Sequence, residues 1–401
     1  MKYVIIGNGV AGITAVQVLS KSKTSKSKIT QFTDEEFSGY YNRPKIPSFI
    51  ANYNMTVEDI ITYSQDWYRK LDVDLHLQEK VQKIDTKTQE ILTTKASYPF
   101  DRLLIATGAD SWSPPIGGQE LKHFYTVRNL KDALKIRERF KSSKTAVIIG
   151  GGVLGIEIAN AAIQQDLKVT VIEFFPYLLP RQLDMEGSQI LHNILEYRGM
   201  KILVGKEVQS VLGKKKVAKV VTKDGLEIPA DLVITCTGIK PRVTIAKDIL
   251  KVNRGIVVNN YLETSQKDIF AAGDCAEHNG IIYGLIPPTI QQAQIAASNM
   301  LNTRSKEYTG SKVSSSLKVT DIFLSSFGYT GKEKESGYNI RKYTNEREYV
   351  KLFIDSDKLK AAIILGVRKV IPLIRNIFTQ ELSLSDHETE LRNILHDLVE
   401  N

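Results

Sequence analysis

Aliphatic runs recur along this chain, and twice such a run breaks into a glycine-rich turn followed by an Ala/Ile-rich helical period. Residues 4–6 lead into Gly7, Gly9 and Gly12, and residues 147–149 lead into Gly150, Gly152 and Gly155. A short apolar run bounded by turn residues reads as a buried strand, and apolar spacing of three and four reads as a helix. The pattern predicts helices over residues 13–20 and 153–165, followed by strands over residues 28–33 and Lys168–Ile172. Two strand–loop–helix–strand units result.

The remaining pattern fills in around them. A loop, GYYNRPKIP at 39–47, leads into a helical stretch reaching residue 69. Short strands follow at 75–77, 81–84 and 90–92, then a buried strand over 100–108 that ends in a Thr-Gly turn. The Pro- and Gly-rich residues 113–118 mark a domain crossing. The second unit opens with a helix near 132–140, and a helix at 183–198 precedes strands at 201–204, 216–222 and Leu232–Thr235. A second crossing at 238–241 returns the chain to the style of the first unit, with a buried strand in 264–277 and a helix over 291–301. The last ~90 residues alternate strands (316–323, 349–354, 359–365) and close on an amphipathic helix over 387–399, as an α+β domain does.

The glycines carry the chemistry. In each loop the first Gly makes the turn from strand to helix. The second lets a pyrophosphate approach the backbone, and the third lets helix and strand pack closely, with the helix N-terminus facing the phosphate. One such loop is weak evidence; two in the same context are strong, and they predict two bound dinucleotides. Glu173 ends the second strand of the second unit, 18 positions past Gly155, near the ~20 expected of a ribose-binding carboxylate. In the first unit the corresponding strand ends at Asp34-Glu35-Glu36, and either Asp34 or Glu35 fits that role.

Composition narrows the class. At 401 residues, with 42% hydrophobic and 25% charged residues, the chain has ample core for two or three domains. No apolar run reaches the ~18 residues of a membrane span, and Gly7, Asn8, Gly9 and Gly12 interrupt the apolar N-terminus that superficially resembles a signal peptide. The chain is therefore read as cytoplasmic. The net charge of +9 sits largely in clusters at 21–28 and 214–219 without interleaved aromatics, so no nucleic-acid surface is expected. Only Cys236 and Cys275 are present, too few for an iron–sulfur or zinc site, and both read as buried small hydrophobes. The six His, scattered singly, give no metal constellation.

The two glycine loops, the IATGA segment at 105–109, TCTGIKP at 235–241 and AAGDCAE at 271–277 together resemble the pyridine-nucleotide flavoprotein oxidoreductases. The resemblance covers nearly the whole chain. It implies an α/β fold with two Rossmann-like three-layer domains and a C-terminal α+β domain. An FAD domain (1–112 and 241–308) is split around an NAD(H) domain (113–240), and residues 309–401 serve dimerisation or partner docking. Tyr40-Tyr41-Asn42-Arg43-Pro44-Lys45 is similar to the Tyr-x-Arg-Pro segment of rubredoxin reductases and of nitrite reductase flavin modules. Disulfide reductases carry a Cys pair there, and no Cys precedes position 236. A thiol relay is thereby disfavoured. Related ferredoxin reductases often carry Lys four residues after the Arg, where this chain has Pro47.

By this resemblance Gly7, Gly9 and Gly12 hold the FAD pyrophosphate, and Asp34 or Glu35 its ribose. Gly273 and Asp274 approach the ribityl–pyrophosphate region, Arg43 complements flavin charge, and Thr107 and Gly108 pass near the flavin. Val81, Arg128 and Ile290 follow from family position. Gly150, Gly152, Gly155 and Glu173 hold the nicotinamide dinucleotide and Gly238 lets it pass. Glu157 and Lys45 are the weak candidates beside the reacting rings. Phe174 and Phe175, rather than Arg, follow Glu173, which favours NADH over NADPH. The implied activity is an FAD-dependent NADH oxidoreductase delivering electrons to a separate small acidic iron–sulfur protein of rubredoxin or ferredoxin type, as monomer or homodimer. The alternatives are an NADH oxidase reducing O2, or an NADH-sensing flavoprotein acting through its partners.

Overall fold

A computed structural model describes residues 1–400 except 23, 25, 320, 321, 332 and 397. The chain divides into two compact units. The first comprises Met1–Asn42, Thr56–Asp110 and Ile239–Ser311; the second comprises Arg43–Met55, Ser111–Gly238 and Lys312–Asn401.

The first unit is built on a five-stranded parallel sheet in the order Ile269–Ala271, Arg102–Ile105, Lys2–Ile6, Lys28–Phe32, Val73–His76. All of its strands but Val73–His76 are buried almost end to end, as in a sheet covered on both faces, and Lys28–Phe32 buries the polar Thr30 and Gln31 among its apolar residues. Helix Val10–Ser22 packs against helix Ile286–Leu301. Both helices carry small buried residues, Ala11 and Ala15 on one and Ala293, Ala296 and Ala297 on the other. An antiparallel sheet, Val81–Asp85, Glu90–Thr93 and Ser97–Pro99, hangs from this core.

The second unit repeats the design, with parallel strands ordered Phe124–Thr126, Leu232–Thr235, Thr145–Ile149, Lys168–Ile172, Met200–Leu203. In both units the order reverses beside the strand that feeds the glycine loop, Lys2–Ile6 in one and Thr145–Ile149 in the other, at the carboxyl ends where open α/β sheets bind ligands. The unit also carries a six-stranded antiparallel sheet, ordered Ser314–Val319, Ile322–Phe327, Lys358–Leu365, Tyr349–Asp355, Asn339–Thr344, Val399–Glu400. Helices Ile371–Gln380 and Glu388–Leu395 bury their apolar faces in that sheet's core. Among the described residues no helix is long and apolar enough to cross a membrane.

Four expectations change. The helical stretch to residue 69 is two short helices, Ile46–Ala51 and Gln65–Lys70, separated by the strand Ile61–Ser64. The turn at Asn52–Asn54 and the bonds from Thr56 to Asp59 stop the first helix, and pairing with Gly39–Tyr41 holds the β-branched Ile61-Thr62 extended. The strand expected over 316–323 is replaced by two antiparallel strands, Ser314–Val319 and Ile322–Phe327, and residues 320 and 321 lie outside the described residues. β-forming residues run through both strands, so composition does not separate them. The strand expected from residue 216 begins at Lys219, since the chain turns back at Gly213, whose added Cβ would meet the Lys216 carbonyl. The last helix spans Glu388–Leu395 rather than 387–399; residue 397 lies outside the described residues, and Val399–Glu400 joins the sheet edge.

Candidate functional site

In the first unit, Gly7 leaves its strand at φ +116 and donates to the Phe32 carbonyl at 2.8 Å. A Cβ there would strike the Ala106 carbonyl, and one on Gly12 would strike the Gly7 carbonyl. These two glycines let the helix press on the strand. Around the Cβ position of Gly9 there is nothing within 4 Å. The helix ladder begins with Ile13 N–H to Gly9 O at 3.0 Å, so the preceding N–H groups lack intrahelical partners beside that open space. The open space and the unpaired N–H groups of a helix N-terminus form a cradle whose partial positive charge suits a phosphate group.

The expected partners gather there. Gly273, at φ +82, has Ala11 of the first helical turn and Thr289 both 3.2 Å from where its Cβ would stand, and its N–H donates to Gln292. Asp274 and Ile290, both half-buried, are thereby carried to the loop. At the end of strand Lys28–Phe32, Glu35 is half-buried and accepts from the Tyr41 hydroxyl at 3.0 Å, whereas Asp34 is exposed, its carboxylate 4.0 Å from Arg242. Val81 is buried, and the loop before it is pinned to the same strand end by Gln78 N–H to Glu35 O and Glu79 N–H to Thr33 O.

Two residues of this unit escaped sequence reasoning. Arg242 donates its N–H to Gly108 O at 2.9 Å, takes the Thr107 hydroxyl on its own carbonyl at 2.7 Å, and pairs with Asp110. It therefore fixes the Thr107–Gly108 turn. Glu79 is 2% exposed and accepts from Thr93 and from His76. Burial alone pushes its pKa up, but those hydrogen bonds outweigh it and hold the carboxyl below its ordinary range. Arg242 acts through partners more than 130 residues away, and Glu79 joins a near neighbour, His76, to Thr93 on another strand, so no spacing rule flags either residue.

The second unit reproduces the cradle. Gly150, at φ +110, leaves its strand against the Cys236 carbonyl, Gly155 backs onto the Gly150 carbonyl, and the space beyond Gly152 is open for 4 Å. Gly152 caps helix Val153–Ile163. Glu173 is 6% exposed, and its carboxylate accepts Gly151 N–H at 2.5 Å and Phe175 N–H at 2.8 Å. Phe174 and Phe175 beside it are exposed. Gly238, at φ +130 with open space at its Cβ position, accepts from Trp112 N–H. Glu157 lies half-buried on the Gly-loop helix.

Arg43, Lys45 and Arg128 fall in this unit too. Arg43 donates to the Arg128 carbonyl at 3.3 Å, and Lys45 is exposed. Cys236 is not fully buried as expected, since the crossover after its strand leaves the residue partly exposed. Desolvation nonetheless pushes its thiol up to about 12, and burial also raises the buried Cys275. Among the described residues no His/Cys/Asp/Glu group has the makings of a metal site.

The comparisons agree with this geometry. Residues 1–299 match the model of the pyridine nucleotide-disulphide oxidoreductase family, and residues 314–382 match the rubredoxin NAD+ reductase C-terminal domain. A Bacillus subtilis nitrite reductase [NAD(P)H] is 33% identical over 98% of this chain and 49% of its own length. The Clostridium acetobutylicum NADH-rubredoxin oxidoreductase is 32% identical over 91% of both chains. Among solved structures, a NAD-dependent persulfide reductase from A. fulgidus superposes with a TM-score of 0.88 at 26% identity, covering 96% of this chain and 78% of that one. The chain spans about half the length of the first curated relatives it matches. By sequence, by the doubled cradle and by fold, it belongs to the pyridine nucleotide-disulphide oxidoreductase family, whose members work with FAD and NADH.

Proposed function

We propose that this chain is a cytoplasmic FAD-dependent NADH oxidoreductase that passes electrons to a separate small iron–sulfur protein. The observation that carries the reading is the matched pair of open glycine cradles, each at a helix N-terminus and each beside a strand-end carboxylate. The residues fit the groups. Gly7, Gly9 and Gly12, with Glu35 favoured over Asp34 by its burial, hold FAD together with Gly273, Asp274, Val81 and Ile290. Gly150, Gly152, Gly155 and Glu173 hold NADH. When bound, the nicotinamide supplies a hydride and the flavin accepts it and releases electrons singly.

The chain's own residues orient the two groups. Arg242 fixes the Thr107–Gly108 turn, and by the family resemblance Arg43 and Lys45 are the cations assigned to the flavin. Glu157 and Gly238 serve the nicotinamide end, with Arg128 anchoring Arg43. Glu173 and the absence of Arg at 174 and 175 favour NADH, since a 2′-phosphate calls for a cation. Both thiols stay protonated near neutral pH, so neither acts as a relay. The C-terminal domain match and the NADH-rubredoxin oxidoreductase relative support an iron–sulfur acceptor, and the basic surface suits an acidic one.

The test is a visible spectrum followed by stopped-flow mixing. We expect a flavin doublet bleached by NADH far faster than by NADPH, then reoxidised quickly by rubredoxin and slowly by air. A colourless protein that cannot be reconstituted sinks the reading, and rapid turnover with air alone replaces the acceptor protein with O2.

A further inference from the structure

The segment that carries Arg43 and Lys45 is held by helices of the nicotinamide-binding unit. Residues Arg43–Met55 cluster with that unit, and their helix Ile46–Ala51 packs on helices Leu130–Phe140 and Val153–Ile163. Three tethers fix it. At its start, Arg43 Nη1 reaches the Arg128 carbonyl at 3.3 Å, just ahead of helix Leu130–Phe140. At its end, Arg137 in the last turn of that same helix donates one nitrogen to Met55 O at 2.8 Å and another to Tyr53 O. Its guanidinium also lies 4.5 Å from the Phe49 ring centroid and 5.5 Å from that of Tyr53. In the middle, Gln165, directly past the pyrophosphate helix, donates Nε2 to the Ala51 carbonyl.

We infer that Arg137, supported by Gln165, is a positioning residue: it makes the placement of Arg43 and Lys45 depend on the helices that frame the NADH cradle. The inference rests on the functional reading above. Two chemical features favour it over plain packing. First, a guanidinium that donates to two carbonyls while covering two aromatic rings is a fixed fork, and Lys cannot reproduce it. Second, the Ala51 and Met55 carbonyls close a segment whose other anchors, Ile46, Phe49 and Ile50, are all buried. Backbone polar groups freed there lose partners that side chains alone supply. A shift of helix Val153–Ile163 on loading its N-terminus is thereby transmitted through Gln165 to the segment. The segment in turn carries the two cations assigned to the flavin.

Hydrogen exchange tests this on the complete protein, using NAD+ as a ligand that binds without reducing anything. In the wild type, NAD+ slows exchange in residues 150–163 and also in residues 43–55. Arg137→Ala raises exchange in 43–55 by about tenfold, the low end of what two charge-assisted hydrogen bonds secure, and abolishes the NAD+ effect there while keeping it in 150–163. Gln165→Ala weakens the NAD+ effect in 43–55 without changing the unliganded rate as much. Arg137→Lys, which retains charge and ring contact, restores less than half of it. In stopped flow, Arg137→Ala lowers the limiting rate of flavin reduction while the NADH dissociation constant stays within about twofold, a split that loss of general stability does not produce. NAD+ protection confined to 150–163 in the wild type overturns the inference and leaves the functional reading standing. So does unchanged exchange in 43–55 with Arg137→Ala or, should that variant not fold, an undiminished NAD+ effect there with Gln165→Ala. Absence of protection in 150–163 overturns the functional reading itself and the inference with it.

Discussion

The two nucleotide cradles share a glycine skeleton and differ in what latches it. In both, the first Gly has positive φ, the third backs onto the first one's carbonyl, and the middle one faces open space. The second position separates them. In the first cradle it is Asn8, buried, whose amide donates to Gly39 O at 3.1 Å and accepts from the Tyr68 hydroxyl at 2.7 Å; Gln31 donates to Gly7 O. In the second it is Gly151, whose N–H is taken by Glu173, and whose added Cβ would meet Leu178 and Glu173. A neutral amide–hydroxyl network holds one loop and a carboxylate holds the other. The glycines set the shape, while the residue between them decides whether the latch is charged.

The sharpest break is within the skeleton itself. Gly155→Ala drives a methyl into the Gly150 carbonyl, and Gly12→Ala does the same against Gly7. Each is expected to lose roughly 3 kcal/mol or more in urea unfolding, because backbone cannot move aside as a side chain can. Gly152→Ala and Gly9→Ala meet no protein atom and retain the wild-type midpoint, but they fill the cradle and lose nucleotide affinity. If the middle-position variants unfold as readily as the third-position ones, the common architecture argued here is wrong.

Next in size is the charged latch. Glu173→Gln keeps an acceptor for one of the two backbone N–H groups and turns an amide NH2 toward the other. The buried mismatch is expected to cost about 2 kcal/mol and to weaken NAD+ binding measured by calorimetry. Tyr68→Phe strips the hydroxyl from Asn8 Oδ1 and is expected to cost about 1–2 kcal/mol, leaving NAD+ binding unchanged. Burial raises the Tyr68 phenol well above its usual pKa, so this latch does not titrate in the physiological range. Equal effects of the two variants on NAD+ binding contradict separate latches.

The contrast also marks where reading the sequence worked. The glycine turns of both units and the strands leading to them are legible because φ at Gly7 and Gly150 and the contacts at Gly12 and Gly155 exclude any other residue. A local steric demand leaves a local signature. Strand Ile61–Ser64 was not legible, since its extended form is secured by pairing with Gly39–Tyr41 rather than by its own period. Arg137, Arg242 and Glu79 were missed for a related reason. Partners of theirs lie at Met55, Gly108 and Thr93, positions that no helix or strand period connects to them. The choice between Asp34 and Glu35 stayed open in the sequence, because adjacent acids differ only in which one the Tyr41 hydroxyl meets.

The smallest effect separates the sheets themselves. Each unit has an Asp just before the strand that flanks its first one. Asp101 accepts a single backbone bond, from Lys2 N–H at 2.6 Å, whereas Asp231 accepts Lys144 N–H, Thr145 N–H and the Thr145 hydroxyl at 2.8–3.1 Å. Partial burial alone pushes the Asp231 pKa up, but the three hydrogen bonds prevail and hold it below the usual carboxylate value of 3.8. A carboxyl with a depressed folded pKa stabilises fully above its unfolded pKa and loses that contribution as pH falls through the folded one. Subtracting the urea stability of Asp231→Asn from that of the wild type isolates the contribution. The difference is expected to be roughly 1 kcal/mol near pH 6, screened by its partial exposure, and to shrink only below about pH 4. The same subtraction for Asp101→Asn is expected to be smaller throughout, since one backbone bond on an exposed carboxylate competes directly with water. A difference for Asp231 that instead grows as the solution is acidified reverses the sign of the linkage, and the three hydrogen bonds cannot then be favouring the ionised form.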